Sequence, residues 1–234
     1  MLTFWSWFFI LLGLATCAAI AFDVRKRPQH MKIMNVTWPI TGLYMPVIGW
    51  WAYCRMGRAA PAEQQHHGHH HGHHHGHHHG HHHGSDKPEW QGVFVSTTHC
   101  GGGCTLGDFV AAPLATAFGI TLFGSPIAGH FLLAFVFAYA FGVLFQYLPI
   151  REMGSGSPRE ALINAIKADT LSLIAFQIGM YIWMLIAATL FLGGELHAGS
   201  ASFWFMMQIA MLVGFATAYP ANRVLVERGI KHAM

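Results

Sequence analysis

Ile127 to Leu148 reads IAGHFLLAFVFAYAFGVLFQYL, with no Asp, Glu, Lys or Arg anywhere in it. A helix needs about 20 apolar residues to cross the hydrocarbon core of a bilayer. In lipid, only a helix or a closed barrel satisfies its own backbone polar groups. The stretch therefore sets the class: an all-α, polytopic helical membrane protein. Composition agrees, because 53% of the 234 residues are hydrophobic and only 10% are charged, against about 25% in a soluble domain.

Five further apolar segments lie on either side, about six in all. Upstream, Gly124-Ser125-Pro126 separates the run from Thr105 to Phe123, which is marginal in length. Val36 to Cys54 is a span interrupted by Pro39 and Pro46, and Phe4 to Phe22 ends on Asp23-Val24-Arg25-Lys26-Arg27-Pro28. That first segment lacks a basic leader and a small-residue cleavage site, so it reads as an anchor and not a signal peptide. Downstream, the Gly154-Ser155-Gly156-Ser157-Pro158 loop precedes Glu160 to Leu192, and Phe203 to Val226 closes the set. The chain divides into two N-terminal helices (1–54), a solvated His/Gly-rich linker (55–89) and a four-segment membrane domain (90–234).

The positive residues fall in short clusters between apolar runs, and a net charge of +3 is no nucleic-acid footprint. They read as topology determinants. Six full crossings leave Arg25-Lys26-Arg27 outside. A re-entrant third segment puts the Arg25, Arg151 and Arg223 to Lys231 clusters inside, with the N-terminus and the linker outside; the second arrangement is favoured. The expected setting is a bacterial inner (cytoplasmic) membrane, multi-pass and in contact with lipid.

The linker carries fourteen histidines between His66 and His83. After His66-His67-Gly68, four His-His-His-Gly repeats present His69, His70, His71, His73, His74, His75, His77, His78, His79, His81, His82 and His83. Neutral imidazoles on a glycine-loosened backbone suit capture and release of zinc, nickel or copper.

The densest chemistry is His99-Cys100-Gly101-Gly102-Gly103-Cys104-Thr105-Leu106-Gly107-Asp108. Within a helix, Cys100, Cys104 and Asp108 form one stripe at i, i+4 and i+8. Cβ atoms four residues apart stand about 5–6 Å from each other, beyond the roughly 3.5–4.5 Å of an unstrained disulfide but bridgeable by a metal. A glycine loop is the rival, since each helical glycine costs about 1 kcal/mol relative to alanine. Thr105 would then be an N-cap with Asp108 as its capping-box partner, and the cysteines would stand at a positive helix end. A plainer reading makes the glycines packing contacts and the cysteines small hydrophobes. The candidate metal ligands are His99, Cys100, Cys104 and Asp108.

Within the later segments, Asp169, Gln177, Met180, Met184, Met207, Gln208 and Met211 are candidates to line a path. An intramembrane carboxylate faces the bundle or water, and thioethers prefer Cu(I). Packing methionines and hydrogen-bonding glutamines are the plainer alternative. Lys167 reads as a snorkelling lysine and not as a partner of Asp169.

The His99 to Asp108 motif, Lys167-Ala168-Asp169-Thr170-Leu171-Ser172-Leu173, and Trp204 to Gln208 followed by Gly214 to Asn222 resemble an uncharacterised prokaryotic membrane-protein family, a domain of unknown function. The resemblance covers about Trp90 to the C-terminus. It implies a shared membrane domain and no activity.

The expected function is a transporter or facilitator for a transition-metal cation, Cu(I) preferred and zinc or nickel next, more a carrier than an enzyme. The alternative is a membrane thiol oxidoreductase or metallation accessory protein using Cys100 and Cys104. Partners expected are lipid, metal ions and a homo-oligomer or metalloprotein, with no nucleic acid.

Overall fold

The computed structural model describes residues 1–59, 89–152 and 157–231. The twelve repeat histidines from His69 to His83 lie outside these residues. Among the described residues the named elements are all helical: α1 Leu2–Lys26, α2 Met34–Tyr44, α3 Pro46–Ala52 running into a π-turn Tyr53–Gly57, α4 Glu89–Phe118, α5 Pro126–Glu152, α6 Pro158–Leu190 and α7 Ala201–Glu227. Four of them, α1, α5, α6 and α7, are long and apolar enough to cross a membrane. Their outer faces carry exposed Phe8, Leu11, Leu132, Ile178, Ile182 and Leu185, as lipid contact requires.

Local signals fix the ends. Ser157 and Glu160 form a reciprocal capping box on α6 with Pro158 in its first turn, which satisfies otherwise orphaned N–H groups. Ser200 Oγ accepts from Phe203 N to start α7. Between α4 and α5 the chain turns through Gly119 and Gly124, both in the left-handed region.

Thr105 to Phe123 is not a separate segment, and it does not double back within the helix. Its residues Thr105 to Phe118 continue α4, a thirty-residue helix about 45 Å long, and the rest form the turn into α5. The three consecutive glycines of α4 remain helical, so the loop reading and the Thr105 cap fall: Thr105 Oγ1 donates to Gly101 O within the helix. The reason is crowding on every side. A Cβ at Gly101 would lie 2.7 Å from Tyr44 Oη, at Gly102 3.0 Å from Thr37 Cγ2, and at Gly103 2.7 Å from Gly142 Cα. At Gly107 it would collide with the backbone of Ala138. Small residues thus let α4 sit in the centre, pressed against α2 and α5.

The segment that turns back is Val36 to Cys54. Pro46 lacks an N–H and disfavours helical geometry at the residue before it, and Met45 breaks the helix at φ −123, ψ 70. α3 then returns along α2: a Cβ at Gly49 would lie 3.2 Å from Gly42 Cα, and the Trp38 and Tyr53 rings are 5.7 Å apart. Gln208 Nε2 donates to Leu43 O beside the break and to Phe9 O on α1, the glue role open to a glutamine.

Contacts fix which ends lie together. Asp23 at the end of α1 accepts from Arg58 at 2.9 and 3.0 Å and from Tyr53 at 2.8 Å. Lys32 pairs with Glu152 at 3.3 Å, and Tyr219 Oη donates to Trp90 O. At the other end, Ala198 N donates to Thr116 Oγ1, and Phe9 stacks on Phe205. The first end gathers Arg25, Lys26, Arg27, Arg58, Arg151, Arg159, Arg223 and Arg228; the second holds none of the described Lys or Arg. Because α2 and α3 return, the chain leaves for the linker and re-enters α4 at this same basic end. The favoured sequence arrangement put the linker opposite the basic clusters; the hairpin reverses that.

Candidate functional site

Five side chains from three helices and the C-terminal tail meet inside the basic half of the bundle. Cys100 comes from α4, Asp169 and Ser172 from α6, Asn222 from α7, and Lys231 from beyond α7. None is more than 2% exposed. The Cys100 thiol donates to Asp169 Oδ1 at 2.7 Å and accepts from Ser172 Oγ at 3.1 Å and from Lys231 Nζ at 2.9 Å. Lys231 Nζ also donates to Asn222 Oδ1 at 3.1 Å and to Asp169 Oδ1 at 3.4 Å. Asn222 Nδ2 closes the ring by donating to Ser172 Oγ at 2.6 Å.

Each residue has a structural reason to be there. Asp169 and Ser172 are three apart, and so face the same way on α6. Gly142 leaves room for the carboxylate, since a Cβ there would stand 2.8 Å from Asp169 Oδ2. Lys231 arrives because Gly229, at φ +66, turns the chain back after α7. Ile230 N and Lys231 N then both donate to Leu225 O, a glycine-terminated helix end. Charges inside a low-dielectric core persist only when paired, and here one carboxylate meets one ammonium.

The sequence-derived candidates separate into groups. Cys100 and Asp169 join the centre. Cys104 and Asp108 follow Cys100 along α4, fully buried at 0% exposure. Asp108 caps nothing, and its carboxylate oxygens find no hydrogen-bond partner among the described residues. His99 turns instead toward Phe145, with ring centroids 6.1 Å apart and Nε2 without a hydrogen-bond partner among the described residues. Met180, Met184, Met207 and Met211 are at most 4% exposed and share one core with Cys104, so they face inward and not to lipid. Met207, Gln208 and Met211, together with Tyr44 and Thr105, line a cavity of about 240 Å³. Gln177 is buried, and neither end of its amide finds a hydrogen-bond partner among the described residues.

Among the described residues no three His, Cys, Asp or Glu side chains converge to hold a metal ion. His99, Cys100, Cys104 and Asp108 therefore do not form one four-ligand site: His99 leaves the stripe by one helical step, and the other three are spread over two turns. All four cysteines are free, and Cys100 and Cys104 cannot join without unwinding α4.

Sequence reasoning missed Lys231, which looked like one more topology-setting charge. Its available signal was Gly229 placed to reverse the chain just before it. Asn222 and Ser172 stood within the family-like motifs but carried no assigned role. Lys167 is exposed, as read, and the true partner of Asp169 lies 62 residues further on.

No curated protein and no solved structure is significantly similar to the chain. One family does match, over residues 89–231, which takes in α4 to α7, the whole buried centre and, as its last residue, Lys231. The chain thus belongs to the family described as Domain of unknown function (DUF4396).

Proposed function

We propose that the chain is a membrane facilitator for a soft transition-metal cation, Cu(I) before zinc or nickel. The observation that carries this reading is the buried stripe of Cys100, Cys104 and Asp108 through the central helix, with four inward-facing methionines in the same core as Cys104. Thiol and thioether donors select Cu(I) among biological metals. A series of separate donors, none closing into a tight cage, suits passage of an ion that must also leave. Intramembrane ionisable groups mark ion paths by default.

Basic residues concentrate on the cytoplasmic side of membrane proteins. On that rule the linker, with its histidines, is cytoplasmic in a bacterial inner membrane, and the Cys100 centre lies in the cytoplasmic half. The tract would collect ions and the stripe would carry them outward, so export is the favoured direction. A thiol oxidoreductase cycling Cys100 with Cys104 would first have to unwind α4. A metallation accessory protein would use the same stripe with a partner at its far end.

Cells expressing the Cys100→Ser/Cys104→Ser variant are expected to lose most of the change in copper accumulation that the wild-type chain causes, with the tract intact. Accumulation indistinguishable from wild type would remove the stripe from the path.

A further inference from the structure

A groove of about 540 Å³ lies between α5 and α6 at the basic end. Its α5 side is Ala140, Val143, Leu144 and Tyr147, whose spacing puts them on one face of the helix, in a stripe about 10 Å long. Arg159 and Leu162 face them from α6. The lining is graded. Ala140, Val143 and Leu144 take the deeper part, while Tyr147 and Arg159 stand near the place where α5 ends at Glu152 and α6 begins at Pro158. Deeper still, Tyr139 Oη and Thr170 Oγ1 meet at 3.1 Å and join the two helices.

Neither Arg159 nor the Tyr147 hydroxyl has an ion-pair or hydrogen-bond partner among the described residues. The neighbouring acids are engaged elsewhere. Glu160 turns back to accept from Ser157 N at 3.0 Å, Glu152 pairs with Lys32, Asp23 with Arg58 and Glu227 with Arg223. The mouth of the groove thus offers a guanidinium and a hydroxyl to an acceptor from outside the chain, above apolar walls that a soluble anion would not use.

We propose that this groove binds one anionic phospholipid of the bilayer. Its phosphate oxygens accept from Arg159 and from the Tyr147 hydroxyl, and an acyl chain lies along Ala140, Val143, Leu144 and Leu162. The order from charge through hydroxyl to hydrocarbon is that of a phospholipid lying parallel to the helices, and tyrosine is a common residue at that depth. Basic pockets between membrane helices select anionic headgroups, and each basic side chain near the surface adds to the preference. Lipid held here ties the start of α6, the helix of Asp169 and Ser172, to the end of α5. The site is independent of the cargo proposed above.

The test is native mass spectrometry of the full chain in detergent, titrated with phosphatidylglycerol or phosphatidylcholine and read as the affinity for the first lipid retained. Wild type is expected to hold phosphatidylglycerol more tightly. Arg159→Gln is expected to weaken phosphatidylglycerol about fivefold and to remove most of the preference. Ala140→Trp fills the apolar part without touching a charge, and is expected to weaken both lipids. Arg228→Gln, exposed at the same end but outside the groove, is expected to bind as wild type does. Millimolar inorganic phosphate is expected to leave the lipid bound. If Arg228→Gln weakens phosphatidylglycerol as much as Arg159→Gln, or Ala140→Trp leaves it unchanged, lipid gathers diffusely at the basic end and the groove is not its site. Displacement by phosphate alone would overturn the proposal in favour of a soluble anion.

Discussion

Lys231→Met is expected to destabilise the bundle by about 3–5 kcal/mol, and adding Asp169→Leu to the same chain is expected to restore most of that loss. The two groups are 0% and 1% exposed, so removing the ammonium strands a carboxylate that α6 holds in place, facing Gly142. Removing both charges leaves no unpaired buried charge, which is often neutral or better, at the cost of the donor to Asn222 Oδ1 and the acceptor of the Cys100 thiol. The reverse single change, Asp169→Asn, is expected to cost less, because the amide keeps an oxygen for Lys231 Nζ and the Cys100 thiol. Unfolding in detergent, run as a double-mutant cycle, measures the coupling. Equal costs for the two single variants would mean that an amide oxygen does not stand in for the carboxylate beside Lys231.

Gly107→Leu is expected to abolish the folded bundle, and Gly103→Ala to cost about 1–3 kcal/mol by overpacking. At both positions the missing Cβ faces backbone on α5, at Ala138 and Gly142, and backbone cannot rotate away as a side chain can. Gly101→Ala is the internal comparison. Its obstacle is the Tyr44 hydroxyl at 2.7 Å, the far end of a side chain, so its cost is expected to be the smallest of the three. Recovery of monodisperse protein and thermal unfolding read the order. If leucine at Gly107 were tolerated, α4 would not be the central helix.

The apolar runs at Phe4 to Phe22, Ile127 to Leu148, Glu160 to Leu192 and Phe203 to Val226 were legible because hydrocarbon length imposes itself on sequence. The helices at α1, α5, α6 and α7 follow them closely. The hairpin was not legible, since Val36 to Cys54 is as apolar as a crossing segment and Pro46 reads equally as a kink or a reversal. What decides it is tertiary: Gly42 and Gly49 let the two arms touch, and Asp23 waits for Arg58 on the near side. The stripe of Cys100, Cys104 and Asp108 was visible as spacing. That α4 stays helical through three glycines depended on neighbours that no local propensity contains. Lys231 lay beyond reach for a similar reason: a lysine near a chain end resembles many surface lysines until the fold brings Cys100 and Asp169 to it.

The most direct measurement is the copper content of the protein purified from copper-supplemented cells, with and without residues 66–84. Copper that survives deletion of the tract and disappears on Cys100→Ser is the expected result, placing the ion at the buried stripe. Copper that disappears with the tract alone would contradict it, leaving the histidines as the binding element and the stripe as packing.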